Sequence, residues 1–174
     1  NSNTNGIHFI GSGFDPVTLT TFLIQQMTLS TSVPATQGTA LIMEWLDTPF
    51  NPLSKARIHE VEIRGTNFDP AQNIPPATWW HAGIFIRNSG GLDMSHVNIL
   101  GNVFQSGTAL RCETVGSNVF RHFLSNVFVR WFDIGMDWMG PIEVVYMNNF
   151  EVVACRLGFR AMATFPGPGG TVWH

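Results

Sequence analysis

The chain has 174 residues, of which 44% are hydrophobic and only 12% are charged, a composition that excludes an intrinsically disordered segment. Its formal net charge is −3 with nine Lys and Arg residues, so it lacks the basic surface that nucleic acids and anionic membranes bind. Its apolar runs have the length of β-strands and fall short of the roughly 18 residues that span a bilayer. We therefore expect one ordered domain over residues 1–174, with neither nucleic acid nor membrane as a partner.

Two kinds of short segment alternate along the chain. The first is a glycine followed by alternating apolar positions, and it begins at Gly6, Gly38, Gly83, Gly107, Gly135 and Gly158. The second is a polar residue followed by an apolar, any and an apolar residue, and it begins at Gln26, Glu60, His96, Asn126 and Asn149. A third short strand precedes each segment of the second kind. Alternation with period two is typical of β-strands and excludes helical repeats.

The segments recur at a period that fits a solenoid. Asn126 and Gly135 are repeated 23 residues later as Asn149 and Gly158, and longer steps are interpreted as loop insertions. Strands that recur in this way without hairpin turns are expected to stack in parallel, coil on coil. The pattern predicts an all-β fold, a single-stranded parallel β-helix of about six coils with three short strands per coil. Because residues 171–174 resemble the start of another coil, we expect an interior segment of a longer protein.

Stacked coils align equivalent side chains in columns. The polar residues that open the second segments are predicted to lie at a bend, where side-chain amides form ladders along the stack. A catalytic role for His96 or Glu60 is the alternative. The sequence predicts neither a metal site nor a cofactor, since Cys112 and Cys155 have no metal-ligand spacing and the phosphate-loop and Ser/His/Asp motifs are missing.

The glycine-led segments predict two outward columns on one face. The first contains His8, Ala40, Phe85, Ala109, Asp137 and Arg160, and the second contains Ile10, Ile42, Arg87, Arg111, Met139 and Met162. Arg87 and Arg111 are then adjacent like charges, and two solvated arginines are the favoured interpretation, with an anion such as an acidic sugar between them as the alternative. Asp137 and Arg160 are expected to form an ion pair.

Glu44 and Glu113 are the best matched pair of carboxylates. Each lies six residues after a glycine that begins a segment, so two rungs separate them, about 9.6 Å. This separation is at the wide edge of the window of about 6.5–9.5 Å for an inverting glycosidase. Solvated carboxylates in turns are the alternative, and Asp137 is a further candidate acid.

The longest insertion, residues 64–82, carries the adjacent Pro75 and Pro76 and then Trp79, Trp80 and His81. A long loop in a compact repeat is usually functional or disordered. Adjacent residues of an extended segment point to opposite sides, so we expect one Trp ring to cap the core and the other to offer its face to a sugar. Plain packing of the loop is the alternative, and it is favoured over the sugar contact.

The glycine-led strands, the Ser125-Asn126 and Asn148-Asn149 bends and the variable loops resemble the pectate-lyase-like superfamily of right-handed parallel β-helices, which includes capsule depolymerases of phage tailspikes. The resemblance implies hydrolysis or elimination of a bacterial polysaccharide by a homotrimer on a virion tail or outside the cell. It carries none of the family's catalytic signatures. Under it, Glu44, Glu113 and Asp137 are the acid/base candidates, and the glycan is held by Arg87, Arg111, Arg160, Trp79, Trp80 and His81. A non-catalytic glycan-binding or structural solenoid of a virion fibre or cell-surface protein is the alternative.

Overall fold

The computed structural model describes residues 5–11, 21–32, 37–46, 55–69, 71, 77–102, 106–114, 121–140, 144–162 and 172–173. All regular elements in these ranges are β-strands, as the period-two alternation predicted. The strands are β1 Ile7–Gly11, β2 Thr21–Thr31, β3 Thr39–Trp45, β4 Lys55–Gly65, β5 Ala82–Arg87, β6 Gly91–Leu100, β7 Thr108–Glu113, β8 Arg121–Arg130, β9 Ile134–Met139, β10 Val144–Val153, β11 Leu157–Met162 and β12 Val172–Trp173.

The described strands form two parallel sheets of six strands each. Sheet A contains the odd-numbered strands in the order β1-β3-β5-β7-β9-β11, and sheet B contains the even-numbered strands in the order β12-β10-β8-β6-β4-β2. Each strand therefore pairs with the strand two places along the chain, and every described pair is parallel. The predicted parallel stacking is confirmed, and the alternation between sheets is compatible with a solenoid.

The hydrophobic core lies between the two sheets. Ile84 and Leu110 of sheet A and Ile58 and Met94 of sheet B are all buried in one apolar cluster. Burial of each such side chain contributes about 1.5–3 kcal/mol relative to exposure. The core thus joins the sheets into one unit along the described stack.

Each long strand of sheet B is bent at one residue in the left-handed region. The bend residues are those that open the second segments, with φ between 51° and 54°: Gln26, Glu60, His96, Asn126 and Asn149. The two short strands that the sequence separates before and after this residue are therefore two halves of one continuous strand. The chain makes two strands per repeat, the second of them bent, where three were expected.

Side chains at the bend form part of the expected ladder. The Asn149 amide Nδ2 donates to Asn126 Oδ1 at 2.7 Å, and Asn126 Nδ2 contacts His96 Nε2 at 3.2 Å. Asn is the residue that visits the left-handed region most easily after glycine. Backbone conformation and side-chain pairing thus favour Asn at the same positions.

Asn126→Ala is expected to lower the free energy of unfolding by about 1–2 kcal/mol, since it removes both ladder contacts and places Ala in the left-handed region. Urea unfolding measures the change. Asn148→Ala is the matched control, because Asn148 is an exposed neighbour of the bend in β10, and it should change stability by less than about 0.5 kcal/mol. Equal losses in the two variants would contradict a structural role for the ladder.

The register of sheet A differs from the expectation by two residues in two strands. Leu41, Ile84 and Leu110 are paired in register, so Ala40 and Ala109 align with Gly83. A Cβ at Gly83 would lie 2.5 Å from the Ala109 carbonyl oxygen and 2.5 Å from Ile99 Cγ2 of sheet B. The column accordingly holds only Gly or Ala, and Gly107, with φ of 77°, is a turn residue before its strand.

Candidate functional site

The outward side chains of sheet A form two columns, which we call the charged face. The first column is His8, Ile42, Phe85, Arg111, Asp137 and Arg160, and the second is Ile10, Glu44, Arg87, Glu113, Met139 and Met162. The predicted columns were wrong for β3 and β7, where the two-residue shift moves Ile42 and Arg111 into the first column. The same shift brings Glu44 and Glu113 into the second column. Ala40 and Ala109, which were expected on this face, are buried.

Glu44, Arg87 and Glu113 occupy three consecutive rungs of the second column. The expected alignment of the two carboxylates, two rungs apart, is confirmed, and both lie within strands. Arg87 Nη1 lies 3.9 Å from Glu44 Oε2, and Arg87 Nε lies 3.8 Å from Glu113 Oε1. These distances exceed hydrogen-bond range, so Arg87 is only loosely paired with either carboxylate. The side chains of Glu44 and Glu113 are 15% and 23% exposed, respectively, which is enough for a ligand to reach them.

Arg87 and Arg111 are not adjacent rungs of one column, which corrects the expectation of a like-charge pair. Arg111 belongs to the first column, beside Phe85 and Asp137. Its Nη2 donates to Glu113 Oε2 at 3.1 Å, while Arg87 approaches the other oxygen of the same carboxylate. The anion between the two guanidinium groups is therefore Glu113 of the chain itself, and their positions do not require an acidic sugar.

Asp137 and Arg160 form the expected ion pair. Arg160 donates from Nε to Asp137 Oδ1 at 2.8 Å and from Nη2 to Oδ2 at 2.6 Å, and this hydrogen bonding raises the pKa of Arg160. The Asp137 side chain is 0% exposed. A ligand therefore reaches Asp137 only if Arg160 moves, so in this arrangement Asp137 anchors the arginine.

A second pair, Arg156 and Asp133, lies beside the first at the start of the same strands. Both Arg156 Nε and Nη2 donate to the Asp133 carboxylate. The hydrogen bond from Arg156 lowers the pKa of Asp133. The two pairs together make a matched comparison of a covered and an exposed carboxylate.

Arg160→Met is expected to lower the free energy of unfolding by about 1–2 kcal/mol, because it leaves the covered Asp137 carboxylate without its two charged donors. Arg156→Met is the control and should cost less, since Asp133 is partly exposed and water replaces the lost donors. Urea unfolding of both variants at neutral pH measures the difference. A larger loss in Arg156→Met than in Arg160→Met would contradict the anchoring role.

Trp79 and Trp80 are both buried, so the expectation that one ring faces solvent is wrong. Trp80 belongs to the core cluster and lies against Gly6. Residues 70 and 72–76 of the same insertion lie outside the described residues. His81 is partly exposed and precedes β5, at the opposite end of that strand from Arg87. Its backbone carbonyl accepts a hydrogen bond from Thr108 N.

Two contacts of aromatic side chains were not predicted. The Arg111 guanidinium lies over the Phe85 ring, 5.6 Å from its centroid, on the charged face. On sheet B, Phe123 and Tyr146 stack with centroids 4.9 Å apart and planes 10° apart, and they are 48% and 45% exposed. The signal was present in the sequence, since both rings occupy outward alternate positions of short strands that the repeat had identified.

The described residues do not provide other common catalytic devices. No group of three or more His, Cys, Asp or Glu side chains among them is placed to hold a metal ion. Cys112 and Cys155 are free thiols, and burial raises the pKa of Cys112 to about 12, so this thiol is not a nucleophile at neutral pH. In the same part of the chain no helix is long and apolar enough to cross a membrane.

Comparison of the chain with protein-family models, with curated proteins and with solved structures finds no match.

Proposed function

We propose that the chain is a single right-handed parallel β-helix of about six coils, of the pectate-lyase-like type. The alternation of consecutive strands between two parallel sheets supports this fold. The aligned bends of sheet B support it further, because one bent strand then supplies two sides of each coil. An experimental structure that shows left-handed crossovers would contradict the proposal.

We further propose that the protein is a depolymerase of a bacterial surface or capsular polysaccharide. The observation that carries this proposal is the position of Glu44 and Glu113 in one outward column, two rungs and about 9.6 Å apart, with Arg87 between them. A separation of this size leaves space for a water molecule beside the scissile bond and favours an inverting hydrolase. The column follows the axis of the stack, which suits an extended polymer.

The contacts of the two carboxylates favour different roles. Glu44 Oε1 lies 2.8 Å from His8 Nε2, and an imidazole at this distance can supply a proton to a general acid. Arg111 donates a hydrogen bond to Glu113, which can orient this carboxylate as a general base. Glu44 would then protonate the glycosidic oxygen while Glu113 takes a proton from the attacking water.

Arg87 lies where the sugar must bind, but its contacts are weak. Exposed ion pairs contribute about 0–1 kcal/mol, so a sugar displaces the guanidinium from between the carboxylates at small cost. The displaced guanidinium can donate hydrogen bonds to sugar hydroxyls. Arg87 is therefore a substrate-binding residue in this proposal, with Arg111, stacked on Phe85, beside it.

A non-catalytic glycan-binding solenoid of a virion fibre or cell-surface protein is the second candidate. It is favoured by the observation that Glu44, Glu113 and Asp137 each have a guanidinium group within 4 Å in the chain. Incubation with a panel of bacterial capsular polysaccharides separates the two. Release of new reducing ends supports hydrolysis, and products with an ultraviolet-absorbing unsaturated end indicate elimination. Binding to a polysaccharide without any release supports the second candidate and contradicts the first.

We propose a homotrimer located on a virion tail or outside the cell. The exposed Phe123–Tyr146 stack supports an interface on the outer face of sheet B, because exposed apolar patches often mark contacts between chains. Light scattering should give three times the monomer mass, and Phe123→Ser with Tyr146→Ser should shift the mass toward the monomer. A monomer at micromolar concentration of the wild-type chain would contradict the trimer.

A further inference from the structure

An open hollow lies at the bend of the first three strands of sheet B. Its volume is about 460 Å³, and it is lined by Gln26, Met27, Thr28, Glu60, Val61, Glu62, His96 and Asn98. The register places the side chains in two parallel columns along the stack, one of bend residues and one of residues two positions later. The hollow is on the other sheet from the charged face, so its residues are separate from Glu44 and Glu113.

The bend residues at this hollow differ from the other bend residues in their side-chain hydrogen bonds. From β10 to β6 the bend side chains are hydrogen-bonded to one another: Asn149 to Asn126, and Asn126 to His96. The next two bend residues, Glu60 and Gln26, make no side-chain hydrogen bond or ion pair with any described residue. The side-chain ladder therefore ends where the hollow begins. The polar groups of Glu60 and Gln26 are directed to solvent instead.

The charge and polarity of the lining select among ligands. Glu60 and Glu62 contribute two carboxylates, and the adjacent guanidinium is that of Arg64, whose Nε donates to Glu62 Oε2 at 2.8 Å. The surplus of negative charge disfavours an anionic sugar. Among the described residues, no side-chain cluster is suited to a metal ion. Carboxylate, amide and hydroxyl groups are instead suited to sugar hydroxyls, which both donate and accept hydrogen bonds.

We propose that this hollow binds an uncharged oligosaccharide that extends across β2, β4 and β6. Glu60 and Glu62 accept hydrogen bonds from sugar hydroxyls, and the Gln26 and Asn98 amides donate to and accept from them. Binding at this site does not depend on cleavage at the charged face, so the two proposals can fail independently.

Binding of the full chain to an array of uncharged and anionic oligosaccharides tests the site. The wild-type chain is expected to bind at least one uncharged oligosaccharide, and Glu60→Gln should weaken this binding tenfold or more, since it replaces a charged acceptor. Asn98→Ala is a second variant on the exposed side of β6, and it should weaken binding severalfold. Glu151→Gln, an exposed carboxylate on β10, is the matched control and should bind as the wild type does. Circular dichroism and urea unfolding verify that the variants are folded.

The remaining outcomes overturn the proposal. Failure of the wild type to bind any uncharged oligosaccharide would do so, as would binding of anionic oligosaccharides alone or equal binding by Glu60→Gln, Asn98→Ala and the wild type. A response to calcium chloride without glycan would assign the hollow to a cation instead. Glu44→Gln separates the two proposals, because it should retain array binding even though it loses cleavage.

Discussion

Glu113→Gln and Glu44→Gln are each expected to lower the rate of oligosaccharide release at least a hundredfold. Proton transfer by a positioned carboxyl contributes typically 10²–10⁴-fold, and the amide of Gln neither donates nor takes the required proton. Gln retains the size of the side chain, so the columns of sheet A should stay intact. Reducing-end assays of kcat/KM on a cleaved capsular polysaccharide measure the loss.

The two variants should also differ in their pH profiles. If Glu44 is the acid and Glu113 the base, Glu44→Gln removes the limb of falling activity at high pH, and Glu113→Gln removes the limb at low pH. Glu151→Gln, on sheet B, should keep the activity of the wild type. Losses below tenfold in both Glu44→Gln and Glu113→Gln would show that these carboxylates are not the catalytic groups and would favour the binding solenoid.

The parallel stacking and the bends were predictable from the sequence because each has a strong local signal. Alternation with period two identifies strands, and the recurrence of Asn126 as Asn149 fixes the spacing of two neighbouring coils. Asn also tolerates the left-handed backbone that a bend needs. Glu60 and Gln26 occupy the same conformation without that preference, so their positions followed from the period alone.

The register of sheet A could not be obtained in the same way. A slip of one residue would turn every apolar side chain outward, but a slip of two leaves the alternation unchanged. Gly38 and Ala40 are both small enough for the position opposite Gly83, where Ile99 of the other sheet approaches, so residue size does not identify the partner that the structure shows to be Ala40. The charge pattern depended on this choice, and the correct register places Arg87 between two glutamates.

The burial of both tryptophans has a similar origin. The argument that neighbouring side chains point to opposite sides holds for an extended strand, but Trp79 and Trp80 precede β5 and lie outside any strand. In such a segment the backbone can turn both rings inward, and Trp80 fills space beside Gly6 in the core. Periodicity carries no information where the chain leaves the sheet.

Acidification is expected to unfold the protein through His122. This residue lies in a column of apolar side chains of sheet B, between Leu92 and Val145, and its ring is 5.9 Å from that of Trp138. Burial lowers the pKa of His122 to about 3. In the unfolded chain the ring titrates near 6.5, so between these values the unfolded state binds a proton that the folded state does not. The contribution of neutral His122 to the free energy of unfolding is therefore fully present at neutral pH. It is lost as pH falls from about 6.5 toward 3.

The expected loss is roughly 2–3 kcal/mol between pH 7 and pH 4.5, and it grows further toward pH 3. The comparison is best made at pH 4.5 and above, because the lowered pKa of Asp133 adds a separate loss of stability as pH falls below about 4. Urea unfolding of wild type and His122→Leu measures the effect: the Leu variant should lose roughly 2–3 kcal/mol less over this range. His59→Gln, at a partly exposed histidine of β4, should lose as much as the wild type. Parallel pH dependences of wild type and His122→Leu would mean that His122 is not the buried neutral group described here.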